Sequence, residues 1–126
     1  ADLPIQWRRV HKVPDYVRNF PHHAHVNAGV SCISCHGNIA RMPVVYQHEP
    51  LSMSWCLDCH RNPEPSLVPV KGDSDGQGGV LMDSMVTRLF ENEAQWTNRD
   101  DKRPQQEQFA KDRHIAAPEN CGACHY

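Results

Sequence analysis

The sequence predicts a small, mainly α-helical and irregular fold with little regular sheet, held together by covalently attached groups as much as by its own side chains. Three observations predict it. The pattern Cys-x-x-Cys-His occurs at Cys32–His36, Cys56–His60 and Cys121–His125, and it uses all 6 cysteines. Only 39 % of the 126 residues are hydrophobic and 7 % aromatic, which is little for a chain that buries only a modest share of its surface. The 10 prolines are spread along the chain and break long elements.

Cys-x-x-Cys-His is the attachment sequence of a c-type haem. Its two thiols lie close enough to bond both vinyl groups of one porphyrin, and the following histidine is delivered to one face of the iron. Zinc sites and redox dithiols also use Cys-x-x-Cys. Three separate pairs do not divide evenly into four-ligand tetrahedra, however. With 9 histidines in 126 residues, three chance His neighbours would arise roughly four times in ten thousand. The expectation is three haem c groups, bound through Cys32, Cys35, Cys56, Cys59, Cys121 and Cys124, with proximal ligands His36, His60 and His125. The fold is then a multihaem cytochrome c fold whose core is the three haems, and the haem-free chain is expected to be largely disordered.

Taken in order, residues 1–31 carry Pro4, Pro14 and Pro21, which forbid a long helix. Strand-like segments are expected around Ile5–Val10 and Tyr16–Phe20. A short helix from His22 to Ala28, ended by Gly29, would set His22 and His25 on adjacent positions of one face. The first two motifs sit on short helical turns within 32–61, separated by Arg41-Met42-Pro43 and an extended stretch at Val44–Gln47. Residues 62–80, rich in Pro and Gly, read as a loop. Leu81, Met85, Leu89 and Phe90 recur at helical spacing and predict a helix over 81–96, whose apolar stripe would pack against a haem or the rest of the module. Pro104 suits the first position of a second helix running to about His114. The whole is expected to be one domain, 1–126, with an insertion at about 62–117 between the second and third motifs.

The formal charge of −2 comes without a polybasic run, so nucleic acid is not a suggested partner. No stretch approaches the ~20 apolar residues of a membrane span. Covalent haem attachment takes place outside the bacterial cytoplasm, so a periplasmic location is expected, with Ala1 a processed start after loss of a targeting segment or anchor. An electron-transfer iron takes two protein ligands, and each motif supplies one. The distal three must come from His11, His22, His23, His25, His48, His114 and the 4 methionines. Ligand identity matters because His/Met ligation raises the reduction potential over His/His.

The run Phe20-Pro21-His22-His23-Ala24-His25 resembles the start of the small triheme class III cytochromes. The resemblance implies that His22 ligates the haem on Cys32/Cys35 and His25 the haem on Cys56/Cys59, leaving His23 to solvent. It places the third distal ligand four residues ahead of the second motif, where this chain has Ser52. The adjacent Met53, with a flexible thioether, is therefore the first candidate, and His11, His48 and His114 are the alternatives. A wider likeness covers residues 4–61 and 118–126. Pro4–Trp7, Val10–Val17, Met42–Tyr46, Pro50–Cys56 and Cys124-His125-Tyr126 are similar to the triheme portion of the pentahaem cytochrome subunit of alternative complex III, a quinol-oxidising respiratory complex.

The function expected is periplasmic electron transfer through three haems, as a soluble carrier or as a subunit of a membrane-associated respiratory complex. The partners are then other redox proteins, and the 62–117 insertion with its helix is the candidate docking surface. No nucleophile, general base pair or phosphate loop points to another chemistry. The alternative is a multihaem oxidoreductase with one open-coordinated catalytic haem. A haem-based sensor or storage module is a third reading.

Overall fold

The computed structural model of the chain describes residues 2–69, 95–97 and 99–125. Within them the backbone is helical or irregular, and the β pairing is a single antiparallel bridge between Val30 and Leu67. The mainly-α, irregular class follows. No described helix is long and apolar enough to cross a membrane. Residues 81–94 of the expected helix lie outside the described residues, while Gln95 and Trp96 are in helical backbone.

Residues 2–20 form no strand, and neither do residues 44–47. Pro4, Pro14 and Pro43 each remove a ladder donor, and a strand without partners is not stable in water. Side chains make the tie instead. The Lys12 N–H donates to Gln47 Oε1 at 3.0 Å, and the Gln47 amide donates to the carbonyls of Glu49 and Pro50.

Helix α1, His22–Ala28, starts after Pro21 and stops at Gly29, whose φ of 87° is left-handed. Its end is a Schellman motif: Gly29 N–H donates to the Val26 carbonyl and Val30 N–H to the His25 carbonyl, both at 3.0 Å. Helix α2 is Cys32–His36 and ends at Gly37, with φ 67°. Helix α3, Met53–Arg61, is capped by Ser52, whose hydroxyl accepts from Trp55 N–H at 3.3 Å. Helix α4, Arg103–Asp112, has Pro104 in its first turn, as its sequence predicts. Helix α5, Cys121–Cys124, is a single turn.

One clamp ties the first motif to the segment after the second and to α4. Ser31 N–H donates to the Ser66 carbonyl and Val68 N–H to the Gly29 carbonyl, each at 2.8 Å. Leu67 and Val68 are fully buried there. From α4, the fully buried Gln106 donates through Nε2 to the carbonyls of Leu67 at 2.8 Å and Trp96 at 3.1 Å. Arg113 at the end of α4 donates to the Asn27 carbonyl at 2.9 Å. The described ends of the 62–117 stretch are thus packed onto the first motif.

Gly29 is the tightest point of the clamp. A Cβ there would lie 3.0 Å from Phe109 Cε1 and 3.2 Å from the Val68 carbonyl oxygen, in a backbone conformation side chains rarely adopt. Gly29→Ala is expected to cost about 1–3 kcal/mol through strain and crowding of Phe109, read as a lower denaturant midpoint at unchanged slope. An unchanged midpoint would show that this end of α1 is not held by the clamp.

Candidate functional site

The histidines come together in opposed pairs. His22 of α1 and His36, the last residue of α2, have ring centroids 6.2 Å apart and planes 6° from parallel. His25 of α1 and His60 of α3 are also 6.2 Å apart, with planes at 42°. Two imidazoles on one metal, each with a metal–nitrogen distance of about 2.0–2.1 Å, place their ring centres roughly 6 Å apart. Both pairs have that spacing. Among the described residues, no three His, Cys, Asp or Glu side chains gather as a multidentate ion site would require. Each candidate donor set is instead a pair of rings, whose spacing suits the two axial positions of a planar macrocycle.

Local sequence explains the first half of each pair. Pro21 starts α1 and Gly29 ends it, so His22 and His25 fall three residues apart on neighbouring positions of one face. Phe20 fixes their rings. It meets His22 edge-on at 5.0 Å and stacks on His25 at 4.4 Å.

Hydrogen bonds orient two of these rings. His25 donates through Nδ1 to the Pro21 carbonyl at 2.9 Å. His60 donates through Nδ1 to the Pro118 carbonyl, joining the second motif to the approach of the third. In both, Nε2 is left for a ligand, the arrangement in which metal-binding histidines are held by an outer acceptor. Arg61 reinforces the second tie by pairing with Glu119 at 3.3 Å.

Electrostatics favour the neutral, ligating form. Burial pushes the His25 pKa down, opposed by the hydrogen bond to Pro21, with the nearby His60, His22 and His23 lowering it further. Burial likewise lowers His36, helped by His11 and His22. Among the thiols, burial pushes Cys35 up to about 12, with Cys59 and Cys56 adding to the rise. Burial also raises Cys56, with Cys124 and Cys59 contributing, and Cys59, against a hydrogen bond from Ser66. The three motifs therefore bring their sulfurs into one neighbourhood. A thiol as high as Cys35 is protonated at neutral pH and makes a poor redox nucleophile.

Two of the candidates for the third distal position, His11 and His48, lie beside the neighbouring residues His36 and Gly37, whereas Met53 and His114 sit at other helices. Met53 opens α3 and is exposed. His11 packs edge-on against His36 at 4.4 Å, with planes at 80°. His48 lies over Gly37, where a Cβ would come within 2.7 Å of its ring, and bonds to Glu49 Oε1 at 3.0 Å. His114 follows α4 with φ 51° and lines an open groove with Glu64, Glu107 and Lys111. His23 is exposed. His125 is exposed after α5, and the ring it meets is that of Tyr16, at 5.9 Å and 64°.

Sequence reasoning gives no role to three participants, Phe20 as a wedge, Tyr16 on His125 and the Pro118 carbonyl on His60, and it considers His11 as a distal ligand rather than as a neighbour of His36. The phenylalanine and the tyrosine stand beside the motif residues in sequence or in the likeness to known cytochromes, which was the available signal. The other two contacts span long stretches of chain and leave no local pattern. No known family model matches the chain, and no curated protein matches it.

The sign of the pH dependence follows from the two lowered histidines. Unfolded, each takes up a proton near 6.5, whereas folded each resists it to lower pH. The unfolded chain therefore binds more protons below that point, and stability falls as the pH drops. The unfolding midpoint is expected to be level above pH 7 and to decline steadily below 6.5. A midpoint that rises on acidification would contradict burial of these rings.

Proposed function

We propose that this chain is a triheme c-type cytochrome that transfers electrons in the periplasm. The observation that carries the reading is the 6.2 Å spacing of two His pairs, each joining α1 to a different Cys-x-x-Cys-His motif. The donor set fits the group on three counts: paired thiols beside each proximal histidine, burial that favours the neutral form of His25 and His36, and ring separations that suit two ligands on one iron. When bound, each haem supplies one-electron exchange between ferric and ferrous iron.

The chain's own residues do the rest. His22 and His36 hold the first iron on this reading, and His25 and His60 the second. Because His22 and His25 are one helical turn apart, α1 holds two groups at short range from each other. The Pro21 and Pro118 carbonyls fix the ring orientation of His25 and His60 and raise their basicity as ligands. Bis-histidine ligation of this kind favours a lower potential than His/Met. The exposed apolar residues Tyr16, Val44, Val45, Tyr46 and Met53 offer surface for flat apolar groups to pack against.

Location and partners follow from the chemistry. Covalent attachment outside the cytoplasm implies export, and an electron carrier needs a donor and an acceptor. The likeness of residues 4–61 and 118–126 to the triheme part of a respiratory subunit supports a place beside, or within, a membrane-associated redox complex. Met53 remains the proposed third distal ligand.

One observation favours a second reading. His125 is exposed and meets a tyrosine ring, so the third haem could keep an open position and act on a small substrate. Two measurements decide between these readings. Protein purified from a host that matures c-type cytochromes is expected to carry three covalent haems by mass and to be uniformly low-spin, with no carbon monoxide uptake when reduced. Uptake of one carbon monoxide per chain would favour the catalytic reading, and absence of covalent haem would remove both.

The assignment of the second pair has its own test. His25→Met is expected to raise one of the three potentials by on the order of 0.1 V, within the roughly 0.8 V range that axial ligands command. Three unchanged potentials would take His25 off that iron.

A further inference from the structure

We infer that His11 is a positioning residue for the first haem site, its Nε2 accepting a hydrogen bond from His36 Nδ1–H. The assignment rests on the haem reading above and adds a role that neither the motif nor the likeness supplies. His25 and His60 each donate through Nδ1 to a backbone carbonyl. His36 Nδ1 is buried and has no such partner. His11 Nε2 is also buried and unpartnered, and the two rings are in contact, 4.4 Å between centroids and edge-on at 80°. Among the described residues only five buried side-chain polar atoms lack a partner, and two of them belong to this one contact.

A buried donor and a buried acceptor left unmade at contact distance are costly. Each forfeits its hydration unless it is bonded. A hydrogen bond between the two would satisfy both at once. It also fixes the tautomers: His36 keeps its proton on Nδ1 and presents Nε2 toward His22, while His11 carries its proton on Nδ1. His11 is held for this by its neighbour, since Lys12 N–H is bonded to Gln47 Oε1. An acceptor on the far nitrogen makes an imidazole a stronger donor to the metal and stabilises the more highly charged, ferric state. The first site is thereby tuned by an imidazole where the second is tuned by carbonyls.

The test compares His11→Leu with His11→Gln in the holoprotein, by potentiometric titration that resolves the three one-electron steps. His11→Leu is expected to shift one step about tenfold toward the reduced form, about 59 mV, and to leave the other two unmoved. His11→Gln, whose amide oxygen can accept the same bond, is expected to stay near the wild-type value. Equal shifts in both variants would reduce the contact to packing. High-spin iron or carbon monoxide binding in His11→Leu would make His11 an iron ligand and overturn the assignment.

The wild-type protein gives a second readout that needs no variant. Histidine ¹⁵N resonances of the reduced, diamagnetic protein are expected to show His11 protonated on Nδ1, with Nε2 accepting a hydrogen bond. A proton on His11 Nε2, or iron bound there, would overturn the proposal. A wild-type chain without haem removes the haem reading and this assignment together, whereas three haems with unmoved potentials remove the assignment alone.

Discussion

Seven residues of helix impose the constraint on which the rest of the structure depends. His22–Ala28 must present two imidazoles one turn apart, each facing a histidine that arrives from a different part of the chain. A helix this short has little stability of its own. It is therefore fixed from outside at both ends. Pro21 sets the entry, and its carbonyl takes the His25 proton. At the exit, Gly29 turns left-handed and packs under Phe109, while Arg113 holds the Asn27 carbonyl. The ring geometry of two sites thus depends on contacts supplied by α4, some 80 residues further along the chain.

That dependence explains why the buried side chains lie where they do. Among the described residues, the fully buried ones, Ser31, Leu67, Val68 and Gln106, all belong to the clamp between 29–31, 66–68 and α4. Among the described residues, full burial is thus concentrated where the histidine-bearing helix α1 is gripped. Gln106 suits this task better than a leucine would. Its amide supplies donors to carbonyls that a non-repeating loop leaves unpaired, and an unpaired buried carbonyl is costly.

Much of the candidate site was legible in the sequence because its determinants are local. The three motifs are contiguous, and α1 is bracketed by a proline and a glycine with histidines at helical spacing between them. Pro104 marks the start of α4 in the same way. The rest was not legible, for a common physical reason. Gln106 has the polarity of a surface residue, and only the carbonyls of Leu67 and Trp96 make its burial favourable. Tyr16–Phe20 has the composition of a strand, but a strand exists only if another pairs with it. The His60–Pro118 and His11–His36 contacts join residues that no periodicity links.

The outer partners of the histidine rings make the three motifs inequivalent. His25 and His60 lean on peptide carbonyls, whose acceptor strength is fixed by the backbone. Beside the buried Nδ1 of His36 lies the imidazole of His11, and an imidazole can turn or change tautomer as a peptide carbonyl cannot. His125 differs again, since it stands exposed against the ring of Tyr16. Three identical Cys-x-x-Cys-His sequences are thus placed in three different environments. On the proposed triheme reading, a carbonyl-backed, an imidazole-backed and an open, aromatic-lined site would give three separate means of setting the potentials.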